Sequence, residues 1–64
     1  MKTYTINDIV DYYNNNEEIN TIELEKMIEA AGCVSDCHET FGLCHNDKCK
    51  AIINSYGQAV IEHL

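Results

Sequence analysis

Apolar side chains near the start of the chain recur at steps of three and four residues, the spacing of one face of an α-helix. The residues on this face are Ile6, Ile9, Val10 and Tyr13. Thr5 and Asp8 have the spacing of a capping box, in which each side chain bonds the backbone N–H of the other residue. We therefore predict a first helix over residues 6–14, ended by the asparagine run at residues 14–16.

A second helical start follows at Asn20, which has Glu23 three residues further on, again with capping-box spacing. The apolar stripe behind this start consists of Ile22, Leu24, Met27, Ile28 and Ala31. Gly32 comes directly after the stripe and is a typical residue for the C-terminal end of a helix. These signals predict a second helix over residues 21–31.

The last third of the chain carries a third pattern of the same kind. If Asn46 is an N-cap, the residues that follow at three- and four-residue steps are Cys49, Ile52, Ile53, Tyr56, Val60 and Leu64. The chain contains no proline and only 3 glycines, which also favours helices. The prediction is an all-α fold, a small three-helix domain with a cysteine-rich knuckle between the second and third helices.

The length of 64 residues allows one domain, which we place at residues 1–64. A chain this short buries only about 60% of the surface that its unfolded form exposes, so its core is thin. Chains of this size are commonly stabilised by a metal, by disulfides or by a partner subunit. A homodimer that completes the core is therefore one expectation.

The knuckle holds all 4 cysteines and reads Cys33-x3-Cys37-His38 followed by Cys44-His45-x3-Cys49. Compact groups of Cys and His in a reducing compartment are more often metal sites than disulfides. Zn²⁺ takes four tetrahedral sulfur or nitrogen ligands and would add folding energy to the thin core. We predict a structural zinc site. Its expected ligands are Cys33, Cys37, Cys44 and Cys49, with His38 or His45 as substitutes for one cysteine.

Three other states of the knuckle stay open. Two disulfides could form a stapled hairpin, for example Cys33 with Cys49 and Cys37 with Cys44, which is one of three possible connectivities. The thiols could instead carry an iron–sulfur cluster or copper(I). They could also be reduced and simply buried, because free cysteine is among the most buried residue types.

The segment LEKMIEAAGCVSDC, at residues 24–37, resembles the helix-then-cysteine portion of bacterioferritin-associated ferredoxin-like [2Fe–2S] domains. The resemblance covers about a fifth of the chain. The chain lacks the N-terminal C-x-C pair of that family, and three residues separate Cys33 from Cys37 where the family has two. We therefore transfer no cluster ligand from the family.

The charge of the chain limits the classes of molecule that it could bind. The 11 acidic residues and 4 lysines give a net charge of −7. No arginine is present to bind phosphate or guanine, so we expect no direct nucleic-acid binding. Residues 1–31 carry 7 of the acids and a net charge of −5. We expect this half to dock on the basic surface of another protein. The candidate partner-binding residues are Asp8, Asp11, Tyr12, Glu18, Glu23 and Glu25.

The expected cellular location, and whether we expect an enzyme, are judged from features that the sequence lacks. No apolar run approaches the roughly 18–20 residues that span a bilayer, and the first ten residues have no apolar signal-peptide core. We expect a cytoplasmic protein without a membrane partner. The chain has no glycine-rich loop and little room for a pocket, so we expect no enzyme. The expected function is a small adaptor or inhibitor; the alternative is a redox or metal-handling protein whose cysteines carry an iron–sulfur cluster, copper(I) or a switching disulfide.

Overall fold

The structure, a computed structural model, describes residues 3–36 and 40–64. Two helices are followed by a four-stranded antiparallel sheet in which the strands lie in chain order. The elements are α1 (Ile6–Asn15), α2 (Thr21–Ala30), β1 (Val34–Ser35), β2 (Gly42–His45), β3 (Cys49–Ile53) and β4 (Ala59–His63). The predicted all-α three-helix domain is therefore wrong, since the chain has an α/β fold.

The two helices lie where the caps predicted them. Thr5 and Asp8 form the expected capping box at the start of α1. Asn20 caps α2, with its side-chain oxygen accepting from the backbone N–H groups of Ile22 and Glu23. These contacts satisfy amides that have no partner inside the helix, which is why short polar residues set the helix starts.

Gly32 ends α2 and turns the chain into the sheet. Its φ of 73° is in the left-handed region. The Cys33 N–H bonds the Ile28 carbonyl at 3.0 Å, and the Gly32 N–H bonds the Glu29 carbonyl at 3.0 Å. This pair of bonds is a Schellman motif, which closes a helix and favours glycine at the left-handed position. It places Cys33 one residue before β1.

The predicted third helix is a β-hairpin, because Asn46 caps a turn instead of a helix. The Asn46 side-chain oxygen accepts from the N–H groups of Lys48 and Cys49, each at 2.8 Å. The Asn46 N–H also bonds the Cys49 carbonyl at 2.8 Å, which closes the turn between β2 and β3. An Asn side chain bonds nearby backbone in the same way in turns and in helix caps, so the residue alone does not distinguish the two.

A second asparagine closes the turn between β3 and β4. The Asn54 side-chain oxygen accepts from Tyr56 N–H at 2.9 Å and from Gln58 N–H at 3.0 Å. Gly57 follows with a φ of 79°. A short turn that ends in a left-handed glycine is a common hairpin connection. The β-branched residues on either side, such as Ile53, are also suited to strands.

The helices cover one face of the sheet and form the core there. The buried cluster consists of Ile6, Ile9, Met27, Ile28, Leu43, Cys44, Ala51 and Ala59. Gly42 pairs with Ile52 and Cys44 with Ala51, so β2 has one extra residue at this point. This bulge allows the adjacent residues Leu43 and Cys44 both to be buried, which strict strand alternation would prevent.

The opposite face of the sheet carries a row of paired residues across all four strands. The strand register places Val34 beside His45, His45 beside Lys50, and Lys50 beside Glu62. Lys50 and Glu62 form an ion pair at 3.7 Å. The charged and apolar residues of this row lie on the side away from the helices, because neighbours in register share a face.

Asn14 joins the end of α1 to β4. Its side-chain amide donates to the Ala59 carbonyl at 3.0 Å and accepts from the Ala59 N–H at 2.8 Å. Because β4 is the last strand of the sheet, these two bonds satisfy backbone groups that face its free edge. We expected Asn14 only to end the first helix. It also connects the sheet to the helical layer, which consists of α1, α2 and the segment between them.

Candidate functional site

The knuckle cysteines are distributed over the sheet. Cys33 precedes β1, Cys44 lies within β2, and Cys49 begins β3. All three are free thiols. Cys37 and His38, two of the predicted site residues, lie outside the described residues. The structure therefore places three of the four predicted ligands and leaves the complete set untested.

Cys44 is the most protected of these thiols. Its exposed fraction is 0%, and it lies in the core between β2 and the helices. Burial, then the nearby Cys33 thiol, and then the charge of Asp36 raise the pKa of Cys44 from its ordinary value of 9.0 to about 12. The thiolate is the reactive and metal-binding form of cysteine. Cys44 therefore behaves as a small apolar core residue near neutral pH.

Cys33 lies on the same face as Cys44 and is fixed by weak polar contacts. Ser35 pairs with Cys44 across the two strands. Cys33 lies two residues before Ser35 and is therefore the diagonal neighbour of Cys44. The Cys33 sulfur lies 3.9 Å from the Ala31 carbonyl oxygen and 3.8 Å from the Asn46 side-chain nitrogen. Asn46 thus closes the turn with its oxygen and contacts a thiol with its nitrogen.

Cys49 has a different neighbour, His63, on the adjacent strand. The strand register pairs the two residues directly, and the Cys49 sulfur lies 3.3 Å from His63 Nδ1. His63 was not among the residues predicted for the site. The β-branched residues at positions 52–53 and 60–61, together with the turn at Asn54 and Gly57, are the sequence signals that would have paired position 63 with position 49.

His45, a predicted substitute ligand, points to the uncovered face of the sheet. Its Nδ1 lies 2.6 Å from Asp36 Oδ1, and its side chain is 42% exposed. Cys44, its neighbour in the chain, is buried on the opposite face. The carboxylate orients the imidazole away from the thiols of the core face.

No three His, Cys, Asp or Glu side chains in residues 3–36 and 40–64 are grouped so that they could hold a metal ion. This finding contradicts our description of the chain as metal-binding as far as these residues are concerned. The physical reason is the sheet, which directs Cys44 into the core and pairs Cys49 with His63. We assign none of the described cysteines as a metal ligand. The four-cysteine zinc site, which includes Cys37, stays an untested prediction.

The acidic residues of the helical layer are all exposed to solvent. They are Asp8, Asp11, Glu17, Glu18, Glu23, Glu25 and Glu29. Within the described parts of the chain, the close contacts between ionisable groups of this kind are the ion pair of Lys50 with Glu62 and the contact of His45 with the Asp36 carboxylate, and both lie outside the helices. The helical layer therefore presents negative charge that no ion pair of these residues neutralises.

An open groove of about 520 Å³ lies along α1 and contains three of the six predicted partner-binding residues. Asp8, Asp11 and Tyr12 line it, together with Asn15 and the buried side chain of Met27. One Asp8 oxygen is already used by the capping box, in which it accepts from Thr5 N–H at 2.9 Å. Asp11 is therefore the carboxylate of the groove that is best placed to bind a cation.

Tyr12 has a structural role that the sequence did not show. Its ring packs against the core, and its hydroxyl accepts from the Asn20 N–H at 3.2 Å. Tyr12 therefore connects α1 to the start of α2 and forms a fixed wall of the groove. Glu18, Glu23 and Glu25 lie outside this groove, so the structure does not gather the predicted partner-binding residues into one site.

Comparison with known proteins assigns no class to the fold or to the site. No protein-family model, no curated protein and no solved structure matches the chain. Among the described residues, no helix is long and apolar enough to cross a membrane.

Proposed function

We propose that this chain is a small protein-binding module of the adaptor or inhibitor type that docks its acidic helical layer on a basic protein surface. The observation that carries the proposal is the exposure of all the acidic side chains of α1, α2 and the segment between them. Opposite charge steers two proteins together and aligns them. Bound in this way, the module acts by covering the basic surface of its partner, and we place it in the cytoplasm.

The groove along α1 is the proposed centre of the interface. Asp11 supplies a carboxylate, and the Tyr12 ring supplies a flat apolar wall whose position is fixed by its bond to Asn20. A lysine or arginine side chain combines an apolar stem with a cationic head, so it matches both features. Arginine matches better, because its planar group binds a carboxylate with two hydrogen bonds.

The proposal is tested with a panel of Lys- and Arg-rich peptides and their Gln-substituted counterparts, measured by fluorescence polarisation at low and physiological ionic strength. Asp11→Asn removes one charge inside the groove, and Glu29→Gln removes one charge elsewhere on the layer. We expect Asp11→Asn to weaken binding of arginine peptides roughly two- to fivefold, the scale of one exposed ion pair. Glu29→Gln should have a smaller effect.

Two outcomes would contradict the proposal. If the basic peptides bound no better than their Gln-substituted counterparts, the layer would have no preference for cationic partners. If the two variants weakened binding equally, the attraction would come from net charge alone and the groove would not be its centre. Circular dichroism on both variants controls for changes in the fold.

A further inference from the structure

We propose that Cys49 is a site of reversible modification by low-molecular-weight disulfides, with His63 as the acceptor of its thiol proton. The inference is independent of the proposed binding function, because the two residues lie at the end of the sheet and outside the groove of α1. Neither binding through the acidic residues nor packing of the core depends on thiol chemistry at Cys49.

The geometry is that of a thiol beside a base. The sulfur of Cys49 and Nδ1 of His63 are 3.3 Å apart, within the range of a sulfur–nitrogen hydrogen bond. When the His63 proton is on Nε2, Nδ1 accepts from the thiol. The contact connects directly paired residues of two hydrogen-bonded strands, so the backbone fixes the separation. His63 is exposed and Cys49 is partly buried, so a small reagent can approach the pair from solvent.

The other described thiols lack such a base. Cys44 is buried in the core. The partners of Cys33 are the Ala31 carbonyl, the Asn46 amide and the Cys44 thiol, and none of these groups takes up a proton near neutral pH. Thiolate formation and access together control the reactivity of cysteine. Only Cys49 among the described cysteines combines a neighbouring imidazole with partial exposure.

The reaction is a thiol–disulfide exchange and needs no other oxidant. The Cys49 proton moves to His63 Nδ1, and the thiolate attacks one sulfur of the small disulfide. A new bond forms between Cys49 and that sulfur while the original sulfur–sulfur bond breaks. The second sulfur leaves as a thiolate and takes the proton back from His63. The products are one mixed disulfide on Cys49 and one small thiol.

The test uses the full reduced chain with glutathione disulfide and, in parallel, with limiting iodoacetamide. The modified positions are mapped by peptide mass spectrometry after cleavage at acidic residues, since trypsin would isolate Cys49 between Lys48 and Lys50. His63→Gln removes the base. His45→Gln is the matched control, because His45 contacts Asp36 and lies on the other face of the sheet.

We expect Cys49 to react about tenfold faster than Cys33, because the His63 imidazole is placed to take up the proton of the Cys49 thiol and Cys33 has no such base beside it. His63→Gln should abolish most of this advantage, and His45→Gln should leave it unchanged. The proposal is overturned if Cys33 reacts as fast as Cys49, or if both histidine variants leave the Cys49 rate as it is. It is also overturned if Cys49 reacts only after a bound metal has been removed by a chelator.

Discussion

The helical half and the sheet half of this chain use the same side-chain chemistry to form different structures. At the start of α2, Asn20 accepts from the N–H groups two and three residues further on. Asn46 does the same, also with the N–H groups two and three residues further on, and there it closes a hairpin. A cap-like asparagine therefore predicts a change of chain direction, whereas the residues after it decide between helix and strand.

The two halves also differ in what they expose. Residues 3–31 present carboxylates to solvent, while the described residues after them contain the described thiols and the contacts of His45 with Asp36 and of Lys50 with Glu62. The helical half is therefore the half that we propose to dock by charge, and the sheet half contains the proposed modification site at Cys49.

The largest effect is expected from Ile9→Ala, because Ile9 joins α1 to the sheet and has an exposed fraction of 0%. Removal of a buried isoleucine side chain costs about 2–5 kcal/mol, which is a large part of the stability of a small domain. Urea unfolding followed by far-ultraviolet circular dichroism measures the loss. Ile22→Ala is the matched control, since Ile22 is 66% exposed, and a similar loss there would contradict the assigned core.

Asn14→Ala should have the next largest effect. The substitution removes both bonds between the Asn14 amide and the backbone of Ala59, whose exposed fraction is 2%. Each bond contributes about 1 kcal/mol, so a total loss of about 1–3 kcal/mol is expected in the same unfolding experiment. Asn15→Ala, at the neighbouring position, should cost clearly less. Equal losses would show that the joint between α1 and β4 does not depend on Asn14.

The smallest effect is the loss of stability across one unit of alkaline pH, from pH 9 to pH 10. Burial, the Cys33 thiol and Asp36 raise the pKa of Cys44 to about 12, so above its ordinary value of 9.0 the unfolded chain loses a proton that the folded chain keeps. Stability is therefore full below pH 9 and falls as the pH rises toward 12, by at most about 1.4 kcal/mol per pH unit.

This slope is measured by urea unfolding across that range. Cys44→Ala should flatten the curve, although tyrosines and lysines contribute a background that is common to both proteins. If the variant and the original chain lost stability in parallel, Cys44 would not be the protected thiol of the core.

The helical half could be predicted from sequence because its signals are local. A capping box at Thr5, an N-cap at Asn20 and a left-handed glycine at position 32 each act within a few residues, and the structure confirms them. Local contacts of this kind define a helix start or end without reference to the rest of the chain.

The sheet could not be predicted in the same way, because its apolar spacing fits two periods. Cys49 and Ile53 are four residues apart, which places them on one side of a helix and also on one side of a strand. Ile52 and Val60 are eight residues apart and pair across the β3–β4 hairpin. The asparagine at position 54 and the left-handed Gly57 were the signals that favoured the hairpin.

The candidate sites were predicted to different extents. The exposure of the acidic residues followed from composition, and the structure agrees with it. The contact between Cys49 and His63 depends on the turn at Asn54 and Gly57, and our prediction of a third helix over this segment excluded it. The contact between Tyr12 and Asn20 depends on how two helices pack, which no local pattern encodes.

The division of the molecule into a docking layer and a sheet is tested most directly by a nuclear magnetic resonance titration of the labelled chain with an arginine-rich peptide. We predict that the backbone amide shifts fall within residues 3–31 and are largest around Asp11 and Tyr12, while the strands from β2 to β4 change little. Shifts concentrated on the uncovered face of the sheet, around His45 and Lys50, would contradict the division and move the binding site to the other side of the protein.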